Sequence, residues 1–150
     1  MERALEWHRE GKAGVLAALN GLGIEVRADV EGVTPNGTKW KADVLFSVNG
    51  RTVSIVLQRG YQPLSEFRRR QQRFAECHIA CFWLFRKETF ATLTANVAHT
   101  RNSTALPELP VAMLDAQRIE FGDTKSATLD QWLTGILDGS FGYRDGWWTL

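Results

Sequence analysis

The stretch "WKADVLFSVNGRTVSIVLQ", residues 40–58, reads as two strands joined by a tight turn. Its first half, "WKADVLFSV", and its second half, "RTVSIVLQ", are rich in β-branched and aromatic residues. Asn49 and Gly50 between them tolerate the positive φ angles that a two-residue hairpin demands. Working outward, "IEVRADVEG" alternates as a third strand, and "TPNGT" supplies the turn that joins it to the hairpin. Before these strands, residues 2–22 carry Leu5, Val15, Leu16, Leu19 and Leu22 on one helical stripe, and "NGLG" ends that helix. His8 and Lys12 fall inside the stripe, with Glu6 nearly opposite. After the strands, Leu64 to Glu76 reads as an amphipathic helix whose buried side holds Leu64, Phe67 and Phe74. "HIACFWLF" then runs too continuously apolar for a half-exposed strand and predicts one buried on both faces. The order helix, three strands, helix, strand predicts an α/β sandwich built round a mixed sheet.

The rest of the chain is less periodic. "KETFATLTANVA" fits a helix, "LPVAMLD" and "RIEFG" fit short strands, and "SATLDQWLTGILDG" fits a helix capped by Ser126 or Thr128 and closed by Gly139. At 150 residues, 44% hydrophobic with eight Phe and six Trp, the chain suffices for one domain, residues 1–150, with 105–150 packed on the same core. The net charge of +1 offers no global attraction for nucleic acid, so any such interaction needs a local basic face. No apolar run approaches the roughly 20 residues that cross a bilayer, and the N-terminus has no signal-peptide core, so a cytoplasmic protein without membrane partners is expected. Cys77 and Cys81 flank "HIA" in a predicted strand, where they lie about 13 Å apart, too far for a mutual disulfide. With His78 they lack a fourth ligand for zinc.

"EWHREGK" at the head of the first helix, "KADVL", "SIVLQRG", the arginine-rich helix and "CFWLF" together resemble the nuclease-like domain of the competence protein CoiA family, a branch of the PD-(D/E)XK nuclease fold. The resemblance is strongest over residues 5–86, with a weaker echo in "LPVAML" and "LDQWLTGILDG". It implies that Asp43 is the first catalytic acid, that Gln58 fills the place of the polar residue that is Lys in other branches, and that His8 and Lys12 are the paired residues of the first helix. Val56 stands where the family pattern has its second acid. The resemblance implies a DNA substrate, a setting in DNA processing or competence, and Mg²⁺ or Mn²⁺ as the cofactor of any active member.

Phosphodiester hydrolysis near neutral pH calls for a hard cation that activates water, and such ions prefer carboxylate oxygens. Val56 removes one ligand and one charge, and Gln58 offers only an amide oxygen. Glu66 is the nearest acid that could have taken over; its alternative is a helical ion pair with Arg69 or Arg70. Asp29 and Glu31 are further acids on the first strand. Asp43, between Ala42 and Val44, needs a partner if buried, and His8 or Lys12 supplies one without any metal. In a functional role Lys12 reaches the phosphate and His8 orients Asp43 or water.

For nucleic acid, "FRRRQQRF" offers Arg68, Arg69, Arg70 and Arg73 as phosphate contacts, weighed against a merely solvated face. The preceding loop adds Arg59, and Tyr61 as a ring on which an unpaired base stacks. "YRDGWWTL" is either an aromatic platform or a tail docked on the core. Gly11 and Gly14 belong to no phosphate loop, and His99 has no carboxylate partner that would make a nucleophilic triad. Two functions stand: a small metal-dependent PD-(D/E)XK nuclease, and a non-cutting module of that fold that binds nucleic acid or a protein partner in a DNA-processing or defence assembly.

Overall fold

The computed structural model describes residues 2–107, 109–122 and 125–149. Helix α1 (Glu2–Gly21) leads into β1 (Val26–Val33), β2 (Lys39–Val48) and β3 (Arg51–Gln58). Helix α2 (Leu64–Glu76), β4 (Ile79–Phe85) and α3 (Lys87–Arg101) follow. The remainder comprises β5 (Val111–Asp115), β6 (Arg118–Glu120), β7 (Ser126–Thr128), α4 (Leu129–Asp138) and a hairpin of β8 (Gly142–Arg144) and β9 (Trp147–Thr149). The first seven strands form one mixed sheet in sequential order. β3, β4 and β5 run parallel, and the flanking pairs are antiparallel. Asn49 and Gly50 take φ of 52° and 74°, the pair of positive angles that lets a two-residue turn follow the strand twist. Among the described residues no helix is long and apolar enough to cross a membrane.

Alternation along the strands divides the core into two layers. Val53, Ile55 and Leu57 of β3 pack with Val15 and Leu19 of α1 and with Trp132 and Leu133 of α4. On the other face Val56 packs with Phe67 and Phe74 of α2, Trp83 and Phe85 of β4, and Leu93 of α3. Strand β4 contributes to both layers, as its unbroken apolar run requires. Burying Trp83 and Trp132 completely removes enough apolar area to favour folding by roughly 4–6 kcal/mol each before entropy is counted.

Several sequence expectations are corrected. Leu5 and Leu22 are exposed, because only the middle of α1 lies over the sheet, along Gly11, Val15 and Leu19. Cys77 caps α2 and precedes β4: His78 at φ 57° turns the chain there, and the strand begins at Ile79. Both cysteines are free thiols, and burial pushes Cys81 up to about 12, where it is inert. Ser126 belongs to β7, and Thr128 is the cap of α4. Its hydroxyl accepts the Gln131 N–H at 3.1 Å, and the Gln131 side chain returns the bond at 2.9 Å. The tryptophan tail splits in function. Trp148 is buried, donates to the Val111 carbonyl at 2.8 Å and packs against Phe82, Trp132 and Tyr143, whereas half of Trp147 is exposed.

Replacing Trp148 by Ala is therefore expected to lower stability by about 3–5 kcal/mol. Trp147→Ala is expected to stay near the roughly 0.5 kcal/mol of ordinary surface changes. Urea denaturation of the two variants checks this; equal effects would mean that the hairpin is not anchored through Trp148.

Candidate functional site

The ladder between β2 and β3 runs from Val48 and Arg51 to Val44 and Ile55 and stops there. Beyond that point the strands part, and the Leu57 N–H has no backbone acceptor across the gap. The Asp43 carboxylate takes it, Oδ2 accepting at 2.8 Å. Its other oxygen, Oδ1, lies 3.1 Å from His8 Nε2. Desolvation alone would raise the pKa of this half-buried carboxyl. The His8 hydrogen bond, the Leu57 N–H and the charges of His8 and Lys12 outweigh it and hold the group below the ordinary 3.8.

α1 brings His8 to this place because Gly11 allows a close approach to the sheet. A Cβ at Gly11 would lie 2.6 Å from a Leu57 methyl and 3.0 Å from a Leu114 methyl. One turn away, Lys12 does not pair with Asp43. Its ammonium contacts both Asp29 oxygens, at 3.0 and 3.1 Å. Asp29 stands across from Asp43, between the register pairs Ala28–Val44 and Val30–Ala42, with a φ of 52° in the left-handed region. Holding an aspartate there in mid-strand costs on the order of 1 kcal/mol, and such strain concentrates at functional sites.

The remaining wall comes from the end of β3 and from α2. Gln58 Oε1 accepts from Arg70 Nη1 at 2.8 Å, while its amide nitrogen donates to the Gly60 carbonyl at 2.8 Å. Arg70 also donates to Gln62 at 2.9 Å and lies 4.7 Å over the Trp83 ring. Burial lowers its pKa and the nearby Asp43 charge works against that, so the guanidinium stays charged and fixed in direction. Val56 is 2% exposed, paired in register with Trp83, and its side chain offers the site no oxygen.

Together these groups enclose an open cleft of about 410 Å³, into which His8, Lys12, Asp29, Asp43, Gln58 and Arg70 project, with Lys41 and Arg59 at its walls. A second cleft of about 160 Å³ adjoins it, lined by Lys39, Trp40, Arg73 and Phe74 and sharing Lys41 and Arg70 with the first. Trp40 lies flat there because residue 32 is glycine; a Cβ would stand 2.2 Å from its ring. The cations at the first cleft, Lys12, Lys41, Arg59 and Arg70, outnumber its acids, Asp29 and Asp43. The second cleft has no acid among its lining residues.

The structure thus brings together His8, Lys12, Asp43, Gln58, Arg59 and Arg70, and adds Arg73 in the second cleft. It does not bring Glu66 there: that carboxylate is committed to Arg69 at 2.5 Å on the exposed side of α2. Glu31 is exposed on β1 and lines neither cleft. Arg68 and Arg69 point away on the exposed face, and the Tyr61 hydroxyl accepts from Asn96 at 2.8 Å. Sequence reading missed Lys39 and Lys41. Their signal was strand alternation, which puts residues 39, 41 and 43 on one side of β2.

The chain is thus a mixed α/β domain with a polar cleft where two central strands separate. It belongs to the family of the competence protein CoiA nuclease-like domain, whose family model matches residues 6–107. No curated protein matches the chain.

The lowered pKa of Asp43 fixes the sign of a pH effect. Its contribution to stability is present above the unfolded value near 3.8 and is lost as pH falls through the lower folded value. Asp43→Asn is expected to destabilise the protein at pH 7 and to remove this part of the acid-side decline. Melting temperatures of both proteins from pH 7 to pH 2 test it; identical acid slopes would refute the coupling.

Proposed function

We propose that this chain is a nucleic-acid-binding member of the CoiA nuclease-like family, of PD-(D/E)XK type, that serves DNA processing and whose own hydrolysis is weak or lost. The observation that carries this reading is the charge of the cleft beside a buried Val56. A hard divalent ion needs several free oxygens. Here both Asp43 oxygens and both Asp29 oxygens are engaged, and Gln58 presents its amide oxygen to Arg70. Among the described residues no group of three metal-ligating side chains gathers. This donor set does not fit Mg²⁺ or Mn²⁺.

The same groups suit a phosphate backbone. Arg70 presents a planar fork held by two glutamines and a tryptophan. Lys41 and Arg59 form no ion pair among the described residues, so both remain available to an anion. Lys41 and Arg70 line both clefts, so the two adjoin and place Lys39 and Arg73 beside the cations of the first as further phosphate contacts.

Fluorescence anisotropy with single- and double-stranded DNA oligonucleotides across a salt series tests the reading. Affinity is expected to fall steeply with salt, and Lys41→Ala or Arg59→Ala to reduce the slope by about one each. Arg69→Ala, already paired with Glu66 outside the cleft, is expected to change little. Incubation with Mg²⁺ or Mn²⁺ is expected to give little or no cleavage. Salt-independent binding, or none, would overturn the proposal.

A further inference from the structure

Among the described residues, Lys12 is the cation of the cleft whose place is fixed by an acid of the cleft itself. Its ammonium faces both oxygens of Asp29, its side chain is 24% exposed, and its charge also acts on Asp43. Asp29 and Asp43 stand opposite each other across β1 and β2, so an incoming phosphate would meet two negative groups at close range. Something positive must lie between them and the ligand. An ammonium has three N–H donors and Asp29 occupies at most two of them, so Lys12, which lines the cleft, keeps a donor for a further acceptor. The left-handed backbone at Asp29 fits this role, because it turns the carboxylate out of the regular strand pattern and toward α1.

We infer that Lys12, clamped by Asp29 opposite Asp43, is a tethered cation that bridges carboxylate and phosphate in place of a divalent ion, so that the cleft takes up a phosphodiester without metal. This rests on the nucleic-acid reading above. It differs from simple attraction by a basic surface, because it makes metal dependence a property of one side chain.

The experiment measures affinity for a fluorescent oligothymidylate in EDTA and in Mg²⁺ at matched ionic strength, together with Mn²⁺ uptake followed by electron paramagnetic resonance without DNA. Wild type is expected to bind DNA equally in both buffers, within about twofold, and to leave Mn²⁺ free. Lys12→Met is expected to bind about tenfold more weakly in EDTA, to recover in Mg²⁺, and to take up Mn²⁺ through the released Asp29 carboxylate beside Asp43. Asp29→Asn, which frees the ammonium and deletes a negative charge, is expected to bind DNA more tightly in EDTA. Circular dichroism checks that both variants are folded. Tenfold tighter wild-type binding in Mg²⁺, or Mn²⁺ uptake by wild type, would overturn the inference while leaving the nucleic-acid reading intact. A Lys12→Met protein that neither responds to Mg²⁺ nor takes up Mn²⁺ would also overturn it. Absence of DNA binding in every buffer would sink the nucleic-acid reading, and with it phosphodiester uptake by this cleft.

Discussion

One hydrogen bond organises the cleft: the Asp43 carboxylate accepting the Leu57 N–H where β2 and β3 cease to pair. A sheet that opens leaves backbone donors without partners, and a buried donor left unpaired costs about 1–3 kcal/mol. Asp43 fills that need from within the sheet. Its second oxygen then fixes His8, and through α1 the placement of Lys12. The groups that give the cleft its chemistry are also the ones that make the separation of the strands tolerable, so function and local stability share the same atoms.

Charge in the cleft is mixed. Each acid is occupied by a residue of α1, Asp43 by His8 and Asp29 by Lys12, and Lys41, Arg59 and Arg70 add further cations at the same cleft. Arg70 is the best fixed of these, because Gln58, Gln62 and the Trp83 ring each constrain its plane. Its neighbours Arg68 and Arg69, a residue or two earlier on the same helix, lie on the exposed face. A run of arginines on a helix thus divides by direction, at 100° per residue, into one inward-facing member and others that keep the surface solvated.

Much of this was legible in the sequence. Strand β3 and helix α2 were read with their observed limits, and the doubly buried strand β4 followed from "HIACFWLF", of which Ile79–Phe85 form the strand. The convergence of His8, Asp43 and Gln58 was carried by a family resemblance, since nothing in local periodicity makes a histidine on one element meet an aspartate 35 residues later. Partner choice was less readable. Lys12 pairs with Asp29 because a left-handed residue redirects that carboxylate, and backbone handedness of a non-glycine residue leaves no mark on a hydrophobic pattern. Lys39 and Lys41 escaped notice because an alternating strand displays polar residues on its outer face as a matter of course. Their importance appears only once β2 is seen to border a cleft.

The bend at Asp29 bears on self-association as well. β1 is an outer strand of the seven-stranded sheet, and its far side carries backbone groups with no neighbouring strand. An edge of this kind recruits the edges of other molecules when its donors and acceptors keep a regular spacing. A residue at φ 52° in mid-strand breaks that spacing and leaves two short segments where a continuous template would otherwise lie. The conformation that aims one carboxylate at a lysine therefore also guards the domain against edge-to-edge polymerisation.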